Sequence, residues 1–317
     1  MKALQITGYG NNEVAVISDD ASQPELKIDE VLVKVHKAAL NPVDWKIREG
    51  HMKNMLPLTF PATLGCDFSG VVVDTGAEVS TFKVGDEVFG GAIPSLGGSG
   101  SFAEYLVAPS KYLCLKPADI SHTIAAASVT VGVCAYLCIT ETFLDNNSKV
   151  LVIGGAGGIG RASIQLAKNT GAYVATTVHT KDVGFAAKTG ADEVIDASVQ
   201  NFQELLEGYD LVVDTVGGEV YKQAYTILKK GGVIASIAEQ PNDSLMQQYG
   251  VRAEFILGNP LTERLNMIKN FISDNILFPH ISKTFTLNDG VAALDFQQNG
   301  KPSGKVILDI YDNQSSN

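Results

Sequence analysis

Three glycines near the middle of the chain have the spacing G-x-G-x-x-G, which is typical of a phosphate-binding turn. The first glycine permits a tight turn, the second lets the backbone approach a pyrophosphate, and the third lets a helix pack closely on a strand. The N–H groups at the start of the following helix favour phosphate oxygens. The spacing therefore predicts a dinucleotide-binding turn with the residues Gly155, Gly157, Gly158, Ile159 and Gly160.

The residues around the turn predict the strand and the helix that such a site requires. An apolar run at residues 150–153 is typical of a strand covered on both faces. Apolar residues at helical spacing follow the glycines, so the turn lies between a strand and a helix. This context makes the motif a stronger signal than its bare spacing.

The end of the next predicted strand indicates which dinucleotide binds. A site for NAD usually places an acidic side chain there, to bind the adenosine ribose. Residues 175–181 contain no acid and include His179 and Lys181. A cation with hydroxyl donors such as that of Thr177 suits a 2′-phosphate, so we expect NADPH rather than NADH. The alternative is that Lys181 only opens a solvent-exposed helix.

Strands and helices alternate after residue 121, whereas the residues before it are mostly β. The alternation predicts a parallel, doubly wound sheet, and the short runs before it predict a partly closed antiparallel barrel. The β pattern returns near the C-terminus. We therefore expect one domain at residues 1–120 and 272–317, interrupted by a dinucleotide-binding domain at 121–271.

Two loops interrupt the predicted barrel, at residues 41–58 and 90–101. The second is rich in glycine and serine, which is typical of a plain flexible connection. A lid is the functional alternative for this loop.

Composition excludes several classes of function. The net charge of −11 opposes non-specific attraction to nucleic acid or anionic membranes. We identify no uninterrupted apolar stretch of transmembrane length, and so expect a soluble, cytoplasmic protein with no nucleic-acid or membrane partner. The four cysteines form no C-x-x-C pair, and we expect them to be reduced and mostly buried.

Several stretches resemble, in the same order, the medium-chain dehydrogenase/reductase superfamily. Within it the chain is similar to the zinc-free quinone oxidoreductase (zeta-crystallin-like) and enone reductase branch. The stretches are ALNPVDW at 39–45, LGCDFSGVV at 64–72, KVGDEV at 83–88, SFAEY at 101–105, DTVGG at 214–218 and GKV at 304–306. The resemblance implies an α/β protein with a GroES-like β-barrel catalytic domain and a Rossmann domain, and a homodimer.

The resemblance also implies the chemistry. The zinc branch uses a cysteine, a histidine and usually a further cysteine, whereas the corresponding places here hold Asn41, Cys66 and Ala127. We therefore expect no metal. A site without metal suits acceptors that are already electrophilic, namely quinones and α,β-unsaturated carbonyls, with NADPH supplying the hydride.

The loop at residues 41–58 resembles the active-site loop of the family. Asn41 is a candidate hydrogen-bond donor to the substrate carbonyl, or else a turn residue. Asp44 orients Asn41 or neighbouring backbone, or else it is an ordinary cap or loop carboxylate. Trp45 forms a pocket wall or belongs to the core. Further cofactor contacts, or alternatively a cap and turn residues, are expected at Thr130, Ser236, Ile237 and Asn259.

Two other functions are compatible with these features. An enoyl-thioester reductase would use the same cofactor with a pocket that admits a long acyl carrier. A structural or regulatory protein would bind NADPH with little turnover, since a fold alone does not establish catalysis.

Overall fold

The computed structural model describes residues 1–311, which form two compact units. The first comprises Met1–Thr130, Asn259–Ser273 and residues 281–311, and the second comprises Val131–Gly258 and Asp274–His280. Residues 121–130 and 259–271, which the sequence prediction gave to the dinucleotide-binding domain, thus lie in the first unit. These residues have most of their tertiary contacts in the first unit, which the sequence pattern does not indicate.

The first unit begins with eight strands and two helices. They are β1 (Ala3–Ile6), β2 (Ala15–Ser18), β3 (Glu30–Leu40), α1 (Pro42–Arg48), β4 (Ala62–Thr63), β5 (Asp67–Thr75), β6 (Glu87–Gly91), β7 (Tyr105–Pro109), β8 (Leu113–Leu115) and α2 (His122–Thr140), which continues into the second unit. Strand β3 is the central one and pairs antiparallel with β5 and β7. Its alternating residues Val31, Val33 and Val35 are buried in the apolar core of this unit.

The second unit contains a six-stranded parallel sheet with helices between its strands. Its elements are β9 (Lys149–Ile153), α3 (Gly158–Asn169), β10 (Tyr173–Val178), α4 (Val183–Ala186), β11 (Glu193–Asp196), α5 (Phe202–Leu205), β12 (Tyr209–Asp214), α6 (Glu219–Ala224), β13 (Leu228–Ser236), α7 (Asp243–Tyr249) and β14 (Arg252–Phe255). The strand order is β11-β10-β9-β12-β13-β14, and it reverses at β9, where a doubly wound sheet opens its ligand crevice. This confirms the predicted Rossmann topology.

The remaining elements are α8 (Thr262–Ser273), β15 (Ile281–Thr286), α9 (Gly290–Asn299) and β16 (Lys305–Asp309). Strand β16 pairs antiparallel with β3, with Val306 opposite Leu40, and β15 pairs parallel with β16. The chain therefore returns to the first unit, as expected. Helix α8 belongs there too, because its Thr262 hydroxyl donates to the carbonyl of Leu113 at 2.8 Å.

Helices α1 and α9 go beyond the sequence prediction. Helix α1 lies in the segment expected to be a loop, and it begins with Pro42 at a position where the missing N–H is of no consequence.

Helix α2 is apolar and long, although no apolar stretch of transmembrane length was expected from the sequence. It has the length and composition to cross a membrane, but 67% of its most apolar window is buried inside the protein.

The glycine-rich loop at residues 90–101 is held by backbone hydrogen bonds. The N–H groups of Gly98 and Gly100 donate to Ile93 and Ala92 at 3.0 and 2.9 Å. A Cβ on Gly98 would lie 2.2 Å from the carbonyl carbon of Ala92, and one on Gly100 would lie 2.3 Å from the oxygen of Thr63. The glycines therefore serve close packing, which does not favour a flexible connection.

Candidate active site

The glycine turn connects β9 to α3 in the second unit. The N–H groups of Gly154 and Gly155 both donate to the carbonyl of Thr177, at 3.0 and 3.2 Å. Gly154, which precedes the motif, has a φ of +86°, so it and not Gly155 adopts the left-handed conformation of the turn. Gly155 is required for another reason, because a Cβ there would lie 2.1 Å from the Thr176 hydroxyl oxygen.

The other two motif glycines have the expected surroundings. A Cβ on Gly160 would lie 2.2 Å from the oxygen of Gly154, so helix and turn touch at this point. Around Gly157 the nearest such atom is 3.4 Å away, which leaves the turn open. No side chain in the described chain caps α3, so the N–H groups of Gly158 and Ile159 lack a capping partner. These groups fit a pyrophosphate, although their contact with a cofactor stays a prediction.

The end of β10 carries two exposed basic side chains. His179 and Lys181 are both exposed, and they flank the start of a short 3-10 helix at Thr180–Asp182. Thr177 is only 4% exposed, and its carbonyl holds the glycine turn. Its burial leaves His179 and Lys181 as the groups at this strand end that suit a 2′-phosphate.

Ser236 and Ile237 lie at the carboxyl end of β13. The buried Ser236 hydroxyl donates to a carboxylate oxygen of Asp214 at 2.6 Å and accepts from the N–H groups of Ala238 and Glu239. The N–H of Ile237 donates to the carbonyl of Asp214 at 3.1 Å. Both residues therefore join β12 to β13 at the edge where ligands bind in such sheets.

A buried polar cluster forms in the first unit from residues far apart in sequence. Lys305 Nζ donates to Asn41 Oδ1 at 2.5 Å, and Asn41 Nδ2 donates to Asp67 Oδ2 at 2.9 Å. The orientation of the amide follows from chemistry, because an ammonium only donates and a carboxylate only accepts. Asn41 Nδ2 also donates to the carbonyl of Ala39 at 3.4 Å, so both ends of the amide are engaged inside the protein. A role for Asn41 as a donor to a substrate carbonyl stays a prediction.

Thr130 joins the same cluster. Its hydroxyl and its backbone N–H both donate to the Asp67 carboxylate, at 2.7 and 3.1 Å. We name this group the Asn41 cluster, and its members are Asn41, Asp44, Cys66, Asp67, Thr130 and Lys305.

Asp44 takes the role of a helix cap. Its Oδ2 accepts from the backbone N–H of Asn41 at 2.6 Å, while its Oδ1 has no partner in the described chain. Burial, reinforced by the nearby Asp67, raises the pKa of Asp44 to about 7. Burial and the same two carboxylates raise the pKa of the Cys66 thiol well above its ordinary value. The cluster therefore favours a protonated thiol and a readily protonated Asp44.

Trp45 lies outside this network. It is half-buried on α1, with its ring edge-on to His51 at 5.9 Å and with Lys46 Nζ 5.7 Å from its centre. Helix α1 is anchored instead by the fully buried Arg48, which donates to the Gly10 carbonyl at 3.2 Å. A role for Trp45 as a pocket wall stays a prediction.

Sequence reasoning missed the roles of Asp67 and Lys305. Each is the first residue of a strand, and they are only 1% and 3% exposed. Both lie in stretches that carry the family resemblance, and a charged residue at the start of an apolar strand was the available signal. Asn259 is exposed in the first unit, where its carbonyl accepts from Leu261 and Arg264.

The residues at the family's zinc positions do not fit a metal ion. The oxygen of Asn41 accepts from an ammonium, Cys66 favours its protonated form, and Ala127 is packed among Ala39 and Ile307. Within residues 1–311 no group of three or more His, Cys, Asp or Glu side chains is arranged to hold a metal.

Two family models match the chain. Residues 27–118 match the alcohol dehydrogenase GroES-like domain, and residues 189–308 match the model described as zinc-binding dehydrogenase. The first covers most of the strands that contribute to the barrel, and the second extends from the parallel sheet to β16.

Named relatives agree with these models. A 2-methylene-furan-3-one reductase of Solanum lycopersicum is 33% identical over 97% of this chain and 79% of its own length. An NADPH-dependent alkenal/one oxidoreductase of Arabidopsis thaliana is 36% identical over 75% of this chain and 62% of its own. The quinone oxidoreductase structure from Coxiella burnetii has a TM-score of 0.91 and 31% identity, and the alignment covers 98% of this chain and 99% of that one.

The expectation of a cytoplasmic location is wrong by these comparisons. The Arabidopsis reductase is named as a chloroplast protein, and further relatives are named as chloroplast or mitochondrial proteins. The expectation rested on composition, which does not distinguish the cytoplasm from the interior of an organelle.

Proposed function

Because the chain belongs to the medium-chain dehydrogenase/reductase superfamily, we propose that it is an NADPH-dependent oxidoreductase that reduces quinones or α,β-unsaturated carbonyls. The observation that carries this function is the open glycine turn at the reversal point of a parallel sheet, in a chain similar to reductases of these acceptors. NADPH supplies the hydride when it is bound.

The chain's own residues bind NADPH and orient it. The uncapped N–H groups at the start of α3 suit the pyrophosphate, and His179 with Lys181 suits the 2′-phosphate. Ser236 and Ile237 shape the sheet edge, and Asn259 is the proposed backbone contact to the carboxamide. In the first unit, Asp67 holds Thr130, the proposed contact beneath the nicotinamide ribose. These assignments are proposals that the geometry supports.

The reaction we propose requires no zinc. The residues Asn41, Cys66 and Ala127 supply one thiol and no imidazole, which is too few ligands for a zinc site, so the acceptor must be electrophilic without a Lewis acid. Metal analysis of the purified protein tests this directly. Zinc at one equivalent per chain that is lost together with activity on chelation would contradict it. A homodimer, and the absence of nucleic-acid or membrane partners, stay predictions.

The decisive experiment measures NADPH oxidation against para- and ortho-quinones, 2-alkenals, enones and enoyl thioesters. We expect turnover with quinones, alkenals or enones. Turnover with enoyl thioesters alone would identify the acyl-carrier alternative. Tight NADPH binding without turnover on any acceptor would establish a binding protein and refute the proposed reaction.

A further inference from the structure

Lys305 is a buried cation at the start of β16, and the next three residues of that strand are apolar. Its side chain is only 4% exposed, and Nζ donates to the carbonyl of Leu40 at 2.9 Å as well as to Asn41. A buried ammonium is costly unless it is paired and hydrogen-bonded. The bond to Leu40 is to backbone, whereas the bond to Asn41 fixes the orientation of a side chain.

Asp67 is the complementary anion and connects the rest of the cluster. Its Oδ2 lies 3.8 Å from Lys305 Nζ, and its carboxylate accepts from the Asn41 amide and from two donors of Thr130. The two oxygens of a carboxyl group have enough lone pairs for these three donors, whereas an amide has one oxygen with only two. Lys305 provides a positive charge beside Asp67.

We propose that Lys305 is a positioning residue: it fixes the Asn41 amide directly and, through Asp67, holds Thr130 in the arrangement that the NADPH-dependent reaction requires. This inference rests on the proposed function, because Thr130 is a proposed contact to NADPH. Lys305 lies in β16, and its contacts connect this strand to the end of β3, to β5 and, through Asp67, to α2. Lys305 therefore has a role beyond packing.

The chain offers a matched control for burial. The Lys116 side chain is 3% exposed, pairs with Glu87 and donates to two backbone carbonyls, but it lies outside the Asn41 cluster. The variants Lys305→Met and Lys116→Met thus each remove one buried ammonium group, although the partner carboxylate is buried beside Lys305 and half-exposed beside Lys116. A general loss of packing affects both, whereas positioning of Thr130 is specific to Lys305.

The first measurement is the dissociation constant of NADPH from its fluorescence on binding, without any acceptor. Lys305→Met is expected to raise this constant at least tenfold, and Lys116→Met to change it less than twofold. An unchanged constant in folded Lys305→Met would overturn the inference and leave the proposed function intact. A wild-type protein that does not bind NADPH would instead refute the proposed function.

The second measurement is the titration of the Asp44 carboxyl by NMR, in protein labelled with ¹³C at aspartate carboxyl carbons and assigned with Asp44→Asn. Lys305 opposes the rise in the pKa of Asp44 that burial and Asp67 cause. Lys305→Met is therefore expected to move this pKa further upward. A fall toward the ordinary aspartate value would mean that the cluster opens to water without Lys305, which also supports the positioning role, whereas an unchanged pKa would overturn it.

A double variant keeps the proposal testable if Lys305→Met does not fold. Removing one member of a buried ion pair leaves the other unpaired, whereas neutralising both is tolerated better. Lys305→Met/Asp67→Asn is therefore expected to fold and to keep a weakened NADPH affinity, because an amide at position 67 lacks the acceptors for all three donors. Wild-type affinity in the folded double variant would contradict the proposal.

Discussion

The glycine turn and the Asn41 cluster position their groups in opposite ways. At the turn, backbone N–H groups of Gly154 and Gly155 bond to a backbone carbonyl, and close contacts exclude side chains. In the cluster, side chains of four segments bond to one another around two carboxylates and one ammonium. The turn requires glycines, because a Cβ atom there would clash with its neighbours. The cluster requires that its buried positive and negative side chains compensate one another.

This difference determines how each region should respond to change. The turn is sensitive to added volume and insensitive to pH, because none of its atoms titrates. The cluster should tolerate changes of volume better than changes of charge, since an unpaired buried charge costs more than a small cavity. The four predictions that follow test this contrast, beginning with the largest expected effect.

Adding volume at the turn should have the largest effect. In Gly160→Val the new Cβ would lie 2.2 Å from the oxygen of Gly154, and backbone cannot move as a flexible side chain does. We expect a loss of about 4 kcal/mol or more in the free energy of unfolding. Urea denaturation measures it. The control is Gly184→Ala, where nothing lies within 4 Å of the new Cβ; a similar loss there would contradict the explanation.

The titration of Asp44 in the cluster should make the free energy of unfolding depend on pH. The pKa of Asp44 is raised to about 7 in the folded protein, so the folded state binds one more proton than the unfolded state between about pH 4 and 7. Its contribution to stability therefore falls as the pH rises through this window, by about 2 kcal/mol between about pH 5 and 7.

The variant Asp44→Asn isolates this contribution. The difference in unfolding free energy between wild type and variant should shift in favour of the variant as the pH rises from about 5 to 8. Other groups, such as His122, whose pKa burial lowers to about 4, titrate in both proteins and cancel in the difference. A difference that does not depend on pH would contradict the raised pKa.

Two buried serines of the second unit separate bonding from packing. Ser236→Ala removes a hydroxyl with three hydrogen bonds, and we expect a loss of about 2 kcal/mol because Asp214 loses a buried donor. Ser163 is equally buried, but its hydroxyl has no partner in the described chain. Ser163→Ala should therefore leave stability unchanged or raise it. Equal losses in calorimetry or urea denaturation would show that volume alone decides.

The smallest expected effect concerns cofactor choice. Lys181→Ala should lower the preference for NADPH over NADH about tenfold, or about 1.4 kcal/mol, because a cation beside the 2′-phosphate is lost. The ratio of kcat/KM for the two cofactors measures it. Lys188→Ala, an exposed lysine beyond the same strand end, is the control. An unchanged ratio in Lys181→Ala would refute this lysine's role.

The fold was predictable because its signals are local. Strand-sized apolar runs alternate with helices, and parallel strands joined by short helices admit few topologies. The return of the C-terminal chain to the first unit was also predictable, since its β-like segments had no parallel partner left to extend. Helix α1 was missed because its start signal lies in a segment that the family resemblance presented as a loop.

The sequence by itself determined the glycine turn and the family, because these depend on residues that are neighbours in the chain, whereas the preference for NADPH at the end of β10 stays a prediction. Only the tertiary structure decided that Gly154 makes the turn, that the Asn41 amide is engaged, and that Lys305 joins Asp67. Residues 41, 67, 130 and 305 are far apart in sequence, and their contact follows from strand pairing and helix packing. Residues that bond across such long separations have no characteristic short spacing, so no sequence motif indicates their contact.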